Sequence, residues 1–213
     1  MATPTPDDLA AALARHPRLE LDPLPGRTNH LATGVLVPLV FSPDPRCIVT
    51  VRSAALRHHA GEVCFPGGRP DPSDRDLCAT ALREAREELG IERARVLGEL
   101  SSMPLYTSDF RLHPFVAAVD DTPLRVSERE VAEVLYVPLR AELERAKVDA
   151  IPWSHEGQSG LSPAFAIGKY VMYGATAHSF YELLCVAAAL FELPVPPLEP
   201  GRFRWSDLLP EAT

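Results

Sequence analysis

Residues 83–91 read Arg-Glu-Ala-Arg-Glu-Glu-Leu-Gly-Ile, and this stretch is the most informative in the chain. Glu84, Glu87 and Glu88 are spaced i, i+3 and i+4, so a helix places all three carboxylates along one face. Each exposed like-charge pair at this spacing costs roughly 0.2–0.5 kcal/mol. Glu87 and Glu88 lie in the last turn, where carboxylates are disfavoured by about 0.3–1 kcal/mol more because the helix dipole is negative there. A divalent cation such as Mg²⁺ or Mn²⁺ would remove the conflict, since it prefers hard oxygen ligands. The alternative is a solvated charged face that the two neighbouring arginines partly neutralise.

The carboxylates lie in a helix that we predict between Ser73 and Gly90. Either Ser73 or Asp74 can cap its first turn, and Gly90 stands where helices commonly end in a left-handed residue. One face of the helix is apolar and carries Cys78, Ala81, Leu82, Ala85 and Leu89. The pattern therefore predicts an amphipathic helix that packs on a core and presents its acidic residues on another face.

A glycine pair precedes this helix in the segment Phe65-Pro66-Gly67-Gly68. Two glycines permit close backbone approach and positive φ beside a phosphate or a metal ion. An ordinary turn is the alternative interpretation of this segment taken alone.

Together, the glycine loop and the acidic helix closely resemble the signature box of the Nudix hydrolases. The resemblance implies the Nudix α/β/α sandwich, with a mixed β-sheet between helices. It also implies that Glu84, Glu87 and Glu88 bind Mg²⁺ or Mn²⁺ and that Arg83 supports them, which makes these four the expected catalytic residues. The glycine loop can add a backbone carbonyl ligand, for which Gly68 is the candidate. The implied substrate is a nucleoside diphosphate linked to another group.

One feature departs from the usual box, which has a glycine fourteen residues before its arginine and a glutamate eight before it. Here Arg69 and Arg75 occupy those two positions. Either one residue is inserted after Gly68, with Asp74 in place of the glutamate, or that acidic residue is missing. The insertion is physically easier, because it lengthens only a loop and leaves the acidic face in register.

A second resemblance concerns the residues just before the box. Arg52-Ser53, Arg57, Gly61 and the segment 65–68 look like the extra motif of the coenzyme A pyrophosphatase branch of the Nudix hydrolases. That branch hydrolyses coenzyme A to 3′,5′-ADP and 4′-phosphopantetheine. The rival interpretations are a Nudix hydrolase for another nucleoside diphosphate derivative, such as ADP-ribose or NADH, and a nucleotide-binding domain without catalysis.

Cationic residues around the same motif suit a substrate rich in phosphate. Guanidinium groups bind phosphate oxygens through paired hydrogen bonds, and the family position favours the second of the two adjacent histidines. The expected substrate-binding residues are Arg52, Ser53, Arg57 and His59. Three acids are candidates for the general base that activates the attacking water: Glu84, Glu62 and Glu130. No role is assigned to a further set of residues, which suit structural positions as well as substrate contacts: Asp109, His113, Trp153, His155, Tyr170, Tyr173 and His178.

Composition limits the partners of this chain. Its 213 residues include 21 Lys+Arg and 29 Asp+Glu, which gives a formal net charge of −8, and 46% of them are hydrophobic. Such a chain can fill a core, and its net charge argues against nucleic acid or an anionic membrane as partner. The expected partner is a small-molecule substrate, and a homodimer is left open.

Cysteine usage and hydropathy indicate the compartment. The longest helix-like apolar run, residues 183–191, is about half of the ~18 residues that suggest a membrane span. The four cysteines form no CxxC pair, which favours a reducing environment: they are Cys47, Cys64, Cys78 and Cys185. We therefore expect a soluble, cytoplasmic protein.

The pattern along the chain predicts one domain with two appendages. We expect an N-terminal arm with a short helix (residues 1–30), a single domain (31–193) and a proline-rich C-terminal tail (194–213). Helices are predicted at 7–15, 138–147 and 175–193, besides the acidic helix. Strands are predicted at 34–41, 47–52, 63–65, 95–100, 112–119 and 134–137.

Overall fold

The computed structural model describes residues 3–56, 58–155 and 157–209. Its helices are α1 (Pro6–Arg15), α2 (Leu77–Leu89), α3 (Leu139–Leu143), α4 (Gly174–Ala187) and α5 (Trp205–Leu208), with a 3₁₀ turn at Ala188–Phe191. Its strands are β1 (Leu31–Val40), β2 (Arg46–Arg52), β3 (Val63–Cys64), β4 (Gly67–Gly68), β5 (Ala94–Glu99), β6 (Met103–Pro104), β7 (Phe110–Val119), β8 (Val131–Pro138), β9 (Val148–His155), β10 (Gln158–Ile167), β11 (Tyr170–Met172) and β12 (Leu198–Pro200).

The main sheet is mixed. Strands β1 and β7 are parallel, from Leu31 beside Phe110 to Leu39 beside Ala118. All other neighbours are antiparallel: β2 and β4 on β1, β3 and β8 on β2, and β5 and β6 on β7. Within the described residues this sheet has eight strands.

The feature of this sheet that matters most for the site is a gap between two neighbouring strands. β1 and β2 pair only next to the turn that joins them, where Leu39 lies opposite Cys47 and Val40 lies opposite Arg46. Beyond that point the strands diverge, and the segment 63–68 fills the space: β3 pairs with β2, and β4 pairs with β1. The amide of Leu36 donates to the Pro66 carbonyl at 2.9 Å and closes the gap. The glycine pair is thereby held within the sheet instead of in a free loop.

Helices cover both faces of this sheet. Because strand residues alternate between faces, Leu36 and Val40 pack with Ala85 and Leu89 of α2 on one side. On the other side, Val35 and Val37 pack against α1 and α4. The α/β/α sandwich with a mixed sheet is confirmed.

Helix α2 lies unusually close to β1, and a glycine permits this. A Cβ on Gly34 would fall 2.2 Å from the carbonyl oxygen of Leu77 and 3.1 Å from the Ala81 nitrogen. Any side chain at this position would push the acidic helix off the sheet, so Gly34 contributes to the placement of the site.

A second sheet was not predicted from the sequence. Strands β9 and β10 form an antiparallel hairpin, β11 extends it, and β12 joins β9 in parallel. Prolines within the hairpin, Pro152 and Pro163, lack the amide N–H that a ladder uses and argue against strands in a sequence pattern. The proline-rich tail supplies β12 and α5.

The predicted N-terminal helix is confirmed as α1. Thr5 caps it and forms a capping box with Asp8. Leu9 and Leu13 are buried in the same core as α4, so this helix contributes to the core. The division into arm, domain and tail stays a proposal.

Two predicted helix ranges are too long. The helix expected at 138–147 is a short helix of five residues, Leu139–Leu143. The helix expected at 175–193 is α4 and ends at Ala187, before the 3₁₀ turn. The segment Gly174–Phe191 has a mean hydropathy of 1.3 and is long and apolar enough to cross a membrane. The shorter apolar run in the sequence, residues 183–191, did not indicate this. Since 56% of the segment Gly174–Phe191 is buried inside the fold, the helix is accounted for as a core helix.

Candidate active site

Helix α2 begins at a different residue from either one predicted. Asp76 is its N-cap, and the Asp76 carboxylate accepts the amide of Ala79 at 2.7 Å. The predicted caps, Ser73 and Asp74, are therefore wrong. The predicted end is confirmed: Gly90 has a φ of 68° and closes the helix.

Asp74 instead pairs with Arg83, which is the centre of the hydrogen-bond network of the site. Arg83 Nε and Nη2 donate to the Asp74 carboxylate at 3.1 and 3.0 Å. Its Nη1 donates to Glu84 Oε1 at 3.0 Å and to Glu87 Oε2 at 3.2 Å. Its Nη2 also reaches the carbonyl of Arg69 at 3.0 Å. One guanidinium thus ties the loop before the helix to two of the helix carboxylates.

The environment of Asp74 fixes its charge. Hydrogen bonds from Arg83, first of all, and from the Asp71 amide lower the pKa of Asp74 to about 2. The Thr80 hydroxyl donates a further bond at 2.9 Å. That Asp74 stands in for the missing box glutamate, with one extra residue in the loop, stays a prediction.

Glu88 is the most unusual carboxylate in the site, because it is only 5% exposed. Its Oε1 accepts the amide of Gly67 at 3.3 Å. Burial raises the pKa of Glu88 to about 8, and the charges of Glu130 and Glu84 act in the same direction while Arg52 opposes them. Burial also raises the pKa of Glu84. Glu84 is balanced by Arg83, whereas Glu88 has a backbone amide as its hydrogen-bond donor and carboxylates among its charged neighbours.

The glycine pair is needed because Glu84 occupies the space of a side chain. A Cβ on Gly68 would lie 2.4 Å from Glu84 Oε1, and one on Gly67 would lie 2.5 Å from the Gly34 carbonyl oxygen. Close backbone approach at this pair is therefore confirmed. Positive φ is wrong for Gly67 and Gly68, because neither has the left-handed conformation.

The donors at this site fit Mg²⁺ or Mn²⁺ in chemistry. Glu84, Glu88 and the Gly68 carbonyl offer only hard oxygen atoms. The third predicted ligand, Glu87, is 53% exposed at its side chain and is turned toward Arg83. Among the described residues, no three His, Cys, Asp or Glu side chains already converge on one point. Arg83 thus joins Glu84 to Glu87, and Glu84 lies near enough to Glu88 for its charge to raise the pKa of Glu88.

Two of the predicted substrate residues, Arg52 and Ser53, lie at the end of β2, near Glu88 and Glu130 respectively. The Ser53 amide donates to the Glu130 carbonyl at 2.8 Å, which brings Glu130 beside β2. Arg52 is close enough to Glu88 for its charge to oppose the raised pKa. His59 Nδ1 lies 3.0 Å from both Glu62 carboxylate oxygens.

Other predicted cationic residues are not all at the site. Arg57 lies outside the described residues. The Arg69 guanidinium turns away and stacks 4.5 Å from the centre of the Phe110 ring, while only its carbonyl faces Arg83. Asp109 and His178 have structural partners, the Thr28 amide at 2.8 Å and the Ser162 hydroxyl at 3.1 Å.

Sequence reasoning named one residue near this site but assigned it no role. Tyr173 lies close to Glu62, whose charge is one cause of the raised pKa of Tyr173, after burial. Its distance in the chain from the motif residues gave no signal of this proximity. A pattern search confined to the box and the preceding loop therefore misses it.

Comparison with known proteins agrees with this geometry. A family described as "NUDIX domain" matches residues 30–156. The chain is similar to a Photorhabdus laumondii protein named "Uncharacterized Nudix hydrolase NudL", with 36% identity over 172 residues that cover 78% of this chain and 91% of that protein. A Shigella flexneri protein of the same name is 35% identical over 170 residues, which cover 78% and 86% of the two chains. A crystal structure of a MutT/nudix family protein from Enterococcus faecalis has a TM-score of 0.49 and 14% identity, covering 84% of this chain and 66% of that one.

Proposed function

Because this chain belongs to the Nudix hydrolases, which cleave pyrophosphate bonds in nucleotide derivatives, we propose that it is a coenzyme A diphosphatase. The products are 3′,5′-ADP and 4′-phosphopantetheine, or the acylated form when the substrate is a thioester. Nudix hydrolases generally need divalent cations, usually Mg²⁺ or Mn²⁺.

One observation supports the hydrolytic part of the proposal above all others. Glu88 is buried against the Gly67 amide, and the half-buried Glu84 carboxylate occupies the space that a side chain at position 68 would fill. Buried carboxylates are normally paired with a cationic side chain or coordinate a metal ion. Arg83 serves only Glu84 of these two, so the arrangement suits a divalent cation.

The residues that would hold Mg²⁺ or Mn²⁺ are Glu84, Glu88 and the Gly68 carbonyl, with Glu87 within one helical turn. When bound, the ion supplies positive charge that neutralises the phosphate oxygens of the substrate.

The other residues of the site orient these ligands. Arg83 holds Glu84 in place and is itself fixed by Asp74. The Gly67 amide holds one oxygen of Glu88. A network of this kind keeps the carboxylates preorganised, which lowers the reorganisation needed when phosphate charge develops.

Of the three general-base candidates named from the sequence, two fit better than the third. Glu62 has both carboxylate oxygens engaged by His59. Glu84 and Glu130 remain, and both lie close enough to Glu88 for their charges to raise its pKa. We propose that one of these two carboxylates takes the proton of the attacking water. The Glu130→Gln variant assigns it: a loss of kcat with unchanged affinity for Mn²⁺ identifies Glu130, and unchanged kcat identifies Glu84.

The choice of coenzyme A rests on the motif before the box and on its cationic side chains. Arg52 lies near Glu88, and His59 lies near Arg52, so these two cationic groups suit phosphate oxygens that are not being attacked. ADP-ribose and NADH carry the same diphosphate but no phosphate monoester.

A substrate panel tests this proposal. Purified protein with Mn²⁺ is offered coenzyme A, ADP-ribose and NADH at equal concentration, and products are separated by chromatography. We expect coenzyme A to give the highest kcat/KM, with 3′,5′-ADP as product. Faster cleavage of ADP-ribose or NADH would contradict the substrate assignment and leave the hydrolase assignment intact.

A further inference from the structure

The proline-rich tail has no part in the mechanism above, and its packing changes at Gly201. Up to that residue the tail is firmly held. The amide of Gly201 donates to the Ala150 carbonyl at 3.1 Å, and a Cβ on Gly201 would fall 2.5 Å from Asp149 Oδ1. Residues 202–209 then run over the surface, and all four residues of α5 are at least partly exposed. The tail thus has an anchored half and a lightly held half.

Helix α5 is closed mainly by hydrogen bonds among its own residues. The Asp207 carboxylate accepts the amide of Arg204 at 3.0 Å, and the Asp207 amide donates to the Arg204 carbonyl at 3.0 Å. The Leu209 amide donates to the Trp205 carbonyl at 2.9 Å. A helix of four residues is far shorter than the ~12–15 residues at which isolated helices are still marginal in water. It therefore needs a contact with the rest of the fold to persist.

Tyr173, the residue before α4, makes such a contact. Its hydroxyl donates to the carbonyl of Leu208 at 3.2 Å. The same side chain lies close to Glu62, whose charge adds to burial in raising the pKa of Tyr173. This proximity follows from the packing of β11 beside β3, which brings the residue after β11 to the residue before β3. One tyrosine thus contacts both the tail and the segment that precedes the glycine pair.

The Glu62 side of this contact lies at the rim of the acidic site. The Glu62 carbonyl accepts the amide of Arg52 at 2.9 Å, so the pairing of β3 with β2 extends to Glu62. Side chains two residues apart on a strand lie on the same side, which places Glu62 in line with Cys64. Burial raises the pKa of Cys64, and the nearby charge of Glu88 raises it further. A displacement of Glu62 therefore reaches a direct neighbour of Glu88.

The Tyr173 hydroxyl has one proton and can donate it to one acceptor at a time. In the structure it donates to Leu208, and the Glu62 carboxylate is left to His59, whose Nδ1 lies 3.0 Å from both carboxylate oxygens. If the tail is displaced, the hydroxyl loses its carbonyl acceptor and can turn to the Glu62 carboxylate. Docking of the tail and the geometry of residues 58–62 are thus linked through a single hydroxyl group.

We propose that residues 202–209 form a strap that docks at the rim of the substrate site, with Tyr173 as its point of attachment. Docking leaves Glu62 to His59 and holds residues 58–62 in the conformation that binds substrate. Tyr173 is a positioning residue, since it acts through Glu62 and the strap. The inference rests on the proposed function in taking the acidic site as the reaction centre, and it holds for any nucleotide derivative that is cleaved there.

A double-mutant cycle on the full chain tests the strap. Tyr173→Phe removes the hydroxyl, and Asp207→Ala removes the side chain that closes α5. Each variant should raise KM about two- to tenfold, the contribution of one hydrogen bond, with kcat unchanged, for whichever panel substrate has the highest kcat/KM. Because both changes release the same strap, the double variant should match the larger single effect. Effects that multiply, or an unchanged KM in Asp207→Ala, would overturn the proposal.

Tyr181 supplies the matched control, because its hydroxyl also donates to a backbone carbonyl of the tail, that of Pro196 at 3.0 Å. Pro196 lies in the anchored half, so Tyr181→Phe should keep the wild-type KM. Ser206→Ala is the control for Asp207→Ala, since it removes only an exposed hydroxyl of α5. A KM increase in Tyr181→Phe equal to that in Tyr173→Phe would overturn the proposal, because the loss of any tail contact would then suffice. Thermal unfolding of each variant establishes that it is folded.

Limited proteolysis separates this inference from the proposed function, because it needs no turnover. Trypsin cuts after Arg202 and Arg204, which lie in the lightly held half, at a rate that follows the population of the opened segment. We expect faster cleavage at these two sites in Tyr173→Phe than in wild type, and wild-type rates in Tyr181→Phe. Cleavage after Arg125, an exposed arginine outside the tail, is the internal reference.

The expected cleavage pattern supports the attachment of the strap even if coenzyme A is not cleaved. Equal cleavage of the tail in wild type and Tyr173→Phe contradicts that attachment even if coenzyme A is cleaved.

Discussion

Two glutamates in this protein are buried to the same extent, and they have opposite surroundings. Glu88 and Glu142 are each 5% exposed. Glu142 lies in α3, accepts a hydrogen bond from Arg145 Nη2 at 2.9 Å and forms an ion pair with Arg145 Nε at 2.6 Å. Glu88 receives only a backbone amide and faces other acids. Burial raises the pKa of both, but only for Glu88 does it reach about 8. Because the two acids are equally buried and differ in their neighbours, we expect Glu88 to be functional and Glu142 to be structural.

The largest effect is expected for Glu88→Gln. The change keeps the shape of the side chain and removes the charge that the account assigns to metal binding. Turnover should fall by about 10²–10³, as for other groups that stabilise charge in a transition state, while the fold remains intact. Steady-state rates with Mn²⁺ check this. Glu92→Gln is the matched control, since Glu92 follows the same helix and is paired with Arg125 in solvent. Wild-type turnover in Glu88→Gln would remove the metal assignment.

The pH dependence of stability provides a second contrast. Glu88 has an ordinary pKa of 4.5 and a folded pKa of about 8, so the folded state binds the proton more tightly. The stabilisation of the folded state by the protonated Glu88 side chain is fully present below pH 4.5 and is lost as the pH rises toward 8. The loss amounts to about 3–5 kcal/mol in metal-free protein. Urea unfolding between pH 5 and pH 8 measures it. In Glu88→Gln the dependence should flatten, whereas a slope equal to that of wild type would contradict the assigned burial effect.

A smaller effect is expected when the support of Glu84 is weakened. Asp74→Asn removes the charge that fixes Arg83, and partners of this kind typically affect activity or metal affinity by about 10–100-fold. We expect kcat to fall within that range and the apparent affinity for Mn²⁺ to weaken. Asp71→Asn is the control, because Asp71 lies in the same loop and, among the described residues, its side chain forms hydrogen bonds with Ser73 alone. Equal kinetics in the two variants would show that the Asp74 pair is structural only.

The smallest effect on activity is expected for the other buried glutamate. Glu142→Gln leaves Arg145 without its ionic partner, but Arg145 is partly exposed and can be solvated. The free energy of unfolding should fall by about 1–2 kcal/mol, with kcat and KM unchanged. Thermal unfolding and the coenzyme A assay together check both parts. A large loss of turnover would make Glu142 part of the site and remove the contrast with Glu88.

Local pattern was sufficient for the acidic helix and insufficient for its surroundings. The spacing of Glu84 and Glu88 and the stop at Gly90 are local properties, and they were predicted correctly as structure. The start was wrong, because Ser73, Asp74 and Asp76 are all good caps. Only a partner nine residues away, Arg83, explains why Asp74 is not the cap.

Tertiary features left no comparable signal. The divergence of β1 and β2 depends on the segment 63–68 that fills the gap, and no residue in either strand indicates it. The glycine pair was correctly predicted to allow close approach, but the atoms it approaches belong to Glu84 and to another strand. The β9–β10 hairpin was not predicted because its prolines obscure the strand pattern. Without this second sheet, the position of Tyr173 near Glu62 could not be predicted either.

Calorimetric titration of Mn²⁺ into metal-free protein tests the central claim most directly, with wild type, Glu88→Gln and Glu142→Gln measured side by side. We expect saturable binding to wild type and to Glu142→Gln, and binding at least tenfold weaker in Glu88→Gln. A wild type that took up no Mn²⁺, or a Glu88→Gln variant that bound the ion as tightly as wild type, would contradict the assignment of a metal site to Glu88.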